Sequence, residues 1–279
     1  MQAQGPLRSG VPAIAESSDN RDDAADLVCE VRGVTKAFGA VAAVDDVTVA
    51  VERGSLTCLI GPNGAGKSTL LHCISGLLRV DAGSVLVEGD EITRWTAHRR
   101  AEAGLGTVFQ TSRPLEHLDV LGNAMVGCHT WTRAGMVEAM LRAPWERREE
   151  RRIETQAYDA LELVGLADRA ASPAGSLPVG QLRLLAVARA LAQRPSVLLL
   201  DEPAAGLRGA EKTKLAETLL ALKERGLTQI LVEHDMGFVG SLAERVIVLD
   251  RGHVIADGTP AEVRSNKHVI EAYLGSATL

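Results

Sequence analysis

Aromatic side chains make up only 3% of the 279 residues, too few for a surface that binds nucleic acid by stacking on its bases. Basic residues are also in deficit. The 30 Lys and Arg against 36 Asp and Glu leave a formal net charge of −6, which opposes a broad face for a phosphate backbone. No uninterrupted apolar run approaches the length of a membrane span, so any membrane association goes through a partner. The four cysteines, Cys29, Cys58, Cys73 and Cys128, have no metal-ligand spacing; Cys58 and Cys73, which flank an apolar-bounded loop, read as reduced core residues, which suits the cytosol. Residues 1–26, rich in Gly, Pro, Ser and Asp, lack helical or strand periodicity, and also lack a basic stretch followed by an apolar core. They read as a disordered tail rather than a secretory signal. No internal repeat is visible. What is left is an ordinary globular composition, 46% hydrophobic and 24% charged, long enough for one large domain or two modest ones.

One motif stands out from this background. Gly61, Pro62, Asn63, Gly64, Ala65, Gly66, Lys67, Ser68 and Thr69 complete the pattern GxxxxGK[ST]. An apolar stretch over residues 56–60 runs into it, and apolar residues at Leu70, Leu71, Ile74, Leu77 and Leu78 follow with helical spacing. Strand, loop and helix in that order are the context of a phosphate-binding loop. Glycines let successive N–H groups point at phosphate oxygens, and the positive end of the helix adds to the field. Lys67 would lie along the β- and γ-phosphates of a nucleoside triphosphate, and the Ser68 hydroxyl would hold Mg²⁺.

Further along, Val197-Leu198-Leu199-Leu200 reads as a strand buried on both faces, followed by Asp201, Glu202 and Pro203. The two carboxylates fall where such a strand leaves the sheet, the edge at which ligands bind in open α/β sheets. Asp201 suits a Mg²⁺ contact, and Glu202 suits polarising the water that attacks the γ-phosphate. A second buried strand over residues 229–232 delivers His234 to the same edge, where it would hydrogen-bond the γ-phosphate and that water. Gln110 ends a further strand over residues 105–109 and would touch Mg²⁺ or water through its amide oxygen. Leu177, Pro178, Val179, Gly180 and Gln181 open a helix whose first N–H groups are suited to an anion.

This ordered set resembles the ATP-binding cassettes of the ABC ATPases. In that family's terms residues 61–69 resemble Walker A, Gln110 the Q-loop, residues 177–181 the signature, residues 197–202 Walker B and His234 the H-loop. Phe38, before Gly39, stands where the family's adenine-stacking aromatic lies. The resemblance covers residues 27–275. It implies an α/β fold: a P-loop NTPase core with a mostly parallel sheet, an antiparallel β subdomain and a helical subdomain inserted over about 111–180, followed by a short tail at 276–279. It also implies ATP and Mg²⁺ as cofactors, hydrolysis of ATP to ADP and phosphate, and a second cassette as partner, because ATP is sandwiched between one subunit's phosphate loop and the other's signature. Residues 114–120 are where the family touches its membrane subunit. The signature would therefore act on the partner's site.

Within the family the text at 202–207, 232–236, 258–263 and 269–275 is most similar to branched-chain amino acid importers. This implies integral permease subunits, an indirect link to a solute-binding protein, no nucleic acid, and a peripheral position on the cytoplasmic face of the plasma membrane. Cassettes for urea, amides, aromatic acids or lipids share the same chemistry, and soluble ABC ATPases of chromosomes or ribosomes are a further alternative. Long heptads and a second cassette, which mark those soluble members, are both missing. Two departures stand out. The usual Leu-Ser-Gly-Gly-Gln reads Leu177-Pro178-Val179-Gly180-Gln181, without the Ser hydroxyl and with a Pro that has no N–H. The stretch after Walker B, residues 205–209, lacks the family's Asp. Both bear on how this chain serves the opposite site of a dimer.

Overall fold

A computed structural model describes residues 26–110, 114–130 and 144–276. The expected tails at 1–26 and 276–279 thus lie outside the described residues except for Asp26 and Ser276. The chain begins with two long antiparallel strands, β1 (Leu27–Phe38) and β2 (Val41–Glu52), then β3 (Leu56–Ile60) and α1 (Lys67–Ser75). Next come β4 (Ala82–Val87), the short β5 (Asp90–Glu91), α2 (Ala97–Glu102) and β6 (Leu105–Val108). The described chain between β6 and the next strand carries the helices α3 (Val120–Val126), α4 (Pro144–Leu163) and α5 (Val179–Leu191), with a 3₁₀ turn after α3 and two between α4 and α5. The remainder alternates: β7 (Val197–Asp201), α6 (Ala210–Glu224), β8 (Thr228–Val232), α7 (Met236–Leu242), β9 (Arg245–Asp250), β10 (His253–Gly258), α8 (Pro260–Ser265) and α9 (Lys267–Ser276).

Two sheets result. One runs β2-β1-β4-β5 and is antiparallel. The other runs β10-β9-β3-β8-β7-β6 and is parallel except for β10. The apolar runs in β3, β7 and β8 are buried at every position, because the central strands have packing on both faces. Alternate residues supply separate cores. Cys58, Leu198, Leu200 and Leu231 face a core shared with α3 to α7. Leu59, Leu199, Ile230 and Val232 face a second core, shared with α1 and the valines of β1 and β2. All four cysteines are free and buried; burial pushes the Cys73 thiol up to about 11. No helix among the described residues is long and apolar enough to cross a membrane.

One local outcome differs from the periodicity. The helix after the phosphate loop stops at Ser75, because Gly76 adopts φ 81°, the left-handed conformation that ends helices. Its last carbonyls are claimed by the buried guanidinium of Arg100, whose Nη1 donates to Cys73 O at 2.6 Å and Ile74 O at 2.7 Å. Leu77 is consequently exposed rather than on the helix's inner face. In α4, Ala157 and Leu161 are buried and Ile153 is half-buried, while Arg148, Arg151 and Arg152 are exposed on its charged, solvated face.

The loop before α3 is held from within. Asn123, fully buried, accepts from Leu115 N at 2.8 Å and donates to Leu115 O at 3.0 Å and Asp119 O at 2.9 Å. One side chain thereby fixes residues 115–119 on the surface, with Leu115 exposed. Asn123→Leu should destabilise the chain by about 2 kcal/mol, because Leu115 N loses its acceptor and the carbonyls of Leu115 and Asp119 each lose one of two donors. Chemical denaturation checks this, and a loss below about 0.5 kcal/mol would put the loop's anchorage elsewhere.

Candidate functional site at the sheet edge

Because β3, β6, β7 and β8 are parallel neighbours, their carboxyl ends open on one edge. Each end carries a polar group. From β3 the chain enters a loop whose backbone only glycine fits at two points. Gly61 has φ 147° and a Cβ there would stand 2.0 Å from Leu249 O; at Gly66, φ 101°, it would stand 2.1 Å from Ala43 O. Asn63 and Gly64 are exposed, Pro62 and Ala65 buried, and Lys67, Ser68 and Thr69 form the first turn of α1. That turn has no side-chain cap and no acidic residue, so its N–H groups are available to an anion.

Lys67 is only 6% exposed, and its Nζ donates to Gly61 O at 2.8 Å and Pro62 O at 2.9 Å. Burial holds its pKa below the ordinary lysine value, opposed by the charges of Glu202 and Asp201. A cation desolvated against neutral carbonyls is one that phosphate oxygens would serve better. The Ser68 hydroxyl donates to Asp201 Oδ1 at 3.0 Å. Burial raises the Asp201 pKa, opposed by the Ser68 hydrogen bond and by His72, whose Nε2 lies 3.7 Å from Asp201 Oδ2. A hydroxyl and a desolvated carboxylate side by side are hard oxygen ligands whose charge a small divalent cation would relieve, so the pair fits Mg²⁺ completed by water and phosphate. No cluster of three or more His, Cys, Asp or Glu suited to a metal occurs among the described residues.

Glu202 follows Asp201 with φ 46°, the left-handed region that costs a non-glycine residue roughly 1 kcal/mol or more. Its N–H donates to Val232 O at 3.0 Å, so the strained turn is tied to β8. The Glu202 carboxylate is bracketed: Gln110 Nε2 donates to Oε2 at 2.9 Å, and His234 Nδ1 stands 3.8 Å from Oε1. The four expected strand-end groups, Gln110, Asp201, Glu202 and His234, are thus brought together beside Lys67 and Ser68. Gln110 presents its amide nitrogen to Glu202 here, where the sequence led us to expect its oxygen facing metal or water. Phe38 lies apart at the end of β1, 52% exposed, with Lys36 Nζ 5.6 Å from the ring centroid.

Residues 177–181 sit at the start of α5, away from this cluster. Leu177 is buried, Pro178 occupies the N-cap position without a side-chain hydrogen bond, Val179 is 55% exposed, and Gln181 is half-buried. The Gly180 N–H, expected to be free for an anion, instead donates to Glu211 Oε1 at 3.0 Å. A carboxylate from the start of α6 supplies the cap that Pro178 cannot.

Three further residues escape any motif. Glu233, 1% exposed, accepts from Ala204 N at 2.9 Å and fixes the turn after β7; burial raises its pKa, opposed by the N–H groups of Ala204 and His234. His72 faces Asp201 and meets Phe109 edge-on, with centroids 5.7 Å apart. Glu211 is the third. Only Glu233 left a trace in the sequence, as a charge directly after the apolar run Ile230–Val232 that ends a buried strand. As a whole the edge offers a phosphate cradle with its cation, a hard-metal pair, and a carboxylate flanked by an amide and an imidazole. That is a set suited to phosphoryl transfer to water.

The chain matches the family described as ABC transporter over residues 44–205, and the one described as branched-chain amino acid ATP-binding cassette transporter over residues 253–278. It is 38% identical over 251 residues to the high-affinity branched-chain amino acid transport ATP-binding protein BraF of Pseudomonas aeruginosa, covering 90% of this chain and 98% of that protein. Among solved structures it is similar to the ADP conformation of an ATP-binding cassette of an ABC transporter, with TM-score 0.78, 32% identity and coverage of 89% and 99%. It is also similar to a dimeric post-hydrolysis cassette bound to ADP and phosphate, with TM-score 0.69, 26% identity and coverage of 83% and 98%.

Proposed function

Because this chain belongs to the ABC transporter family of ATP-binding cassettes, we propose that it is the ATP-hydrolysing subunit of a membrane importer for branched-chain or related amino acids. The observation that carries the chemistry is the Lys67–Ser68–Asp201–Glu202 cluster at one sheet edge. The similarity to BraF and the C-terminal match over residues 253–278 support the substrate class. The cassette spans residues 27–275, with its helical part over about 111–180, and it works peripherally at the cytoplasmic face of the membrane.

Each residue then has a task. The N–H groups of residues 61–69 cradle the phosphates, with Phe38 stacking on the adenine. Lys67 leaves the carbonyls of Gly61 and Pro62 for the β- and γ-phosphates. Mg²⁺, when held by Ser68, Asp201 and Gln110, would neutralise charge on those phosphates. Glu202 accepts a hydrogen bond from the attacking water and orients it in line with the γ-phosphorus. His234 donates to the γ-phosphate and keeps the imidazole beside Glu202. Positioning and charge account for most of the rate in such a transfer. The second cassette completes the site and excludes water, as the pairing in the related dimer suggests. Residues 114–120 carry the motion to the permeases.

The test is uptake of radiolabelled leucine, isoleucine and valine into vesicles holding the assembled complex, loaded with Mg²⁺ and ATP. Uptake that depends on ATP and on Lys67 supports the assignment. ATP turnover without uptake of any of the three, alongside uptake of another solute, would reassign the cargo and keep the ATPase.

The start of α5 adds a prediction of asymmetry. With no hydroxyl at Pro178, the site that this signature completes lacks one charge-assisted hydrogen bond, worth on the order of 1.5–3 kcal/mol. We infer that the partner is a different cassette with a Ser-containing signature, and that the faster site pairs this phosphate loop with that signature. Pro178→Ser should raise turnover at the partner's site about tenfold, and the chain alone should show little cooperative ATPase activity. Robust hydrolysis by the isolated chain, unchanged by Pro178→Ser, would refute the asymmetry.

A further inference from the structure

Arg183 lies in the first turns of α5 and belongs to none of the motifs above. Its half-buried guanidinium reaches away from that helix to two loops at the sheet edge. Nη1 donates to the backbone carbonyl of Gln110 at 2.8 Å, and Nη2 to the carbonyl of Ala205 at 3.4 Å. Those two carbonyls flank one hydrogen bond. The Gln110 side chain donates to Glu202 Oε2 at 2.9 Å, and Ala205 N closes the turn on Glu202 O at 3.1 Å. A single planar fork therefore grips the backbone at both ends of the Gln110–Glu202 contact. Among the described residues the contact has no other anchor of this kind: His234 approaches Glu202 only at 3.8 Å, and Glu233 fixes Ala204 rather than Gln110.

We propose that Arg183 is a positioning residue for hydrolysis, which holds Gln110 at the Glu202 carboxylate and ties both to the start of the signature helix. The proposal rests on the reading of Glu202 as the group that polarises water. Its physical basis is the guanidinium's two diverging donors, which span two acceptors in one plane; an ammonium is a point charge and satisfies one of them well. Without the fork the loop after β6 keeps its strand but loses its register against the turn after β7. A displacement of about 1 Å at a reacting group is enough to cost orders of magnitude in rate. The phosphate loop is untouched by this network, so nucleotide affinity stays as it is. Because Arg183 sits four residues past Val179 on α5, a shift of that helix against a partner reaches Glu202 through the same guanidinium.

The experiment is a double-mutant cycle in the assembled complex, measuring kcat and KM for ATP together with the Tm of each variant. Arg183→Gln should lower kcat roughly tenfold or more with KM unchanged, and Arg183→Lys should fall between it and wild type. In a Gln110→Ala background, Arg183→Gln should cost less than about twofold further, because its effect runs through Gln110. Full multiplication of the two losses would assign Arg183 a purely structural role and overturn the proposal, as would a wild-type kcat in Arg183→Gln. If Arg183→Gln fails to fold, the same cycle with Arg183→Lys decides between these outcomes. Glu202→Gln in the same assay separates the two levels. Wild-type turnover in that variant would remove the reading of Glu202 itself, whereas lost turnover together with an additive cycle removes only the role of Arg183.

Discussion

Lys67→Ala should reduce nucleotide affinity on the order of 100-fold and bring turnover at this site to background. The ammonium is buried and stands ready between two carbonyls of its own loop. Charge-assisted hydrogen bonds to phosphate are worth roughly 1.5–3 kcal/mol each, and Lys67 would supply two of them, together with the charge that balances the developing γ-phosphate. The variant also leaves Gly61 O and Pro62 O without their donor, so part of any loss could come from a relaxed loop. Lys67→Arg discriminates: it restores a cation but not the compact head that fits between these carbonyls, and should recover binding in part and turnover very little. Fluorescent-nucleotide titration and phosphate release give the two numbers separately. Unchanged affinity in Lys67→Ala would remove the phosphate loop from the account.

Glu202→Gln has the opposite signature. The side chain keeps its size, and its backbone, at φ 46° and tied to Val232, has no reason to move. What disappears is the negative charge that orients the water. Turnover should fall about 10²- to 10⁴-fold, the usual worth of a positioned acid–base group, while ATP affinity holds or rises because a carboxylate no longer faces the γ-phosphate. ATP-bound pairs of cassettes should then persist long enough to isolate by size-exclusion chromatography. If Glu202→Gln turned over at the wild-type rate, His234, with its ring nitrogen 3.8 Å from the same carboxylate, would become the leading candidate for the base.

These two residues were legible in the sequence because each sits in a contiguous pattern with its own local cause. Lys67 follows a strand and a glycine loop and opens a helix. Asp201 and Glu202 end an apolar strand, and in a parallel sheet all such ends share an edge, which is how Gln110 and His234 join them across 92 and 32 residues of chain. The division of strand residues between two cores was equally implicit in four- and five-residue apolar runs. Contacts that depend on side chains arriving from other elements were not legible. Glu211 caps Gly180 from 31 residues away, and nothing in the text at 209–211 says that α6 begins beside α5. Arg183 reads as one more charge on an amphipathic helix until its carbonyl partners are known. His72 and Arg100 look like ordinary helix-surface residues, yet one faces Asp201 and the other is fully buried against the end of α1. The end of α1 has a local cause: Leu77 continues the apolar period, but Gly76 at φ 81° has already turned the chain.

Hydrolysis of ATP at the edge formed by residues 61–69, Asp201, Glu202 and His234 should drive transport. Single-turnover hydrolysis of γ-labelled ATP by the complex, assembled with its partner cassette, permeases and solute-binding protein, tests it most directly. Phosphate release should be stimulated by the amino-acid-loaded binding protein, and lost when either Lys67→Ala or Glu202→Gln is introduced in this chain alone. Undiminished, stimulated release with both substitutions present would place the productive site elsewhere and contradict it.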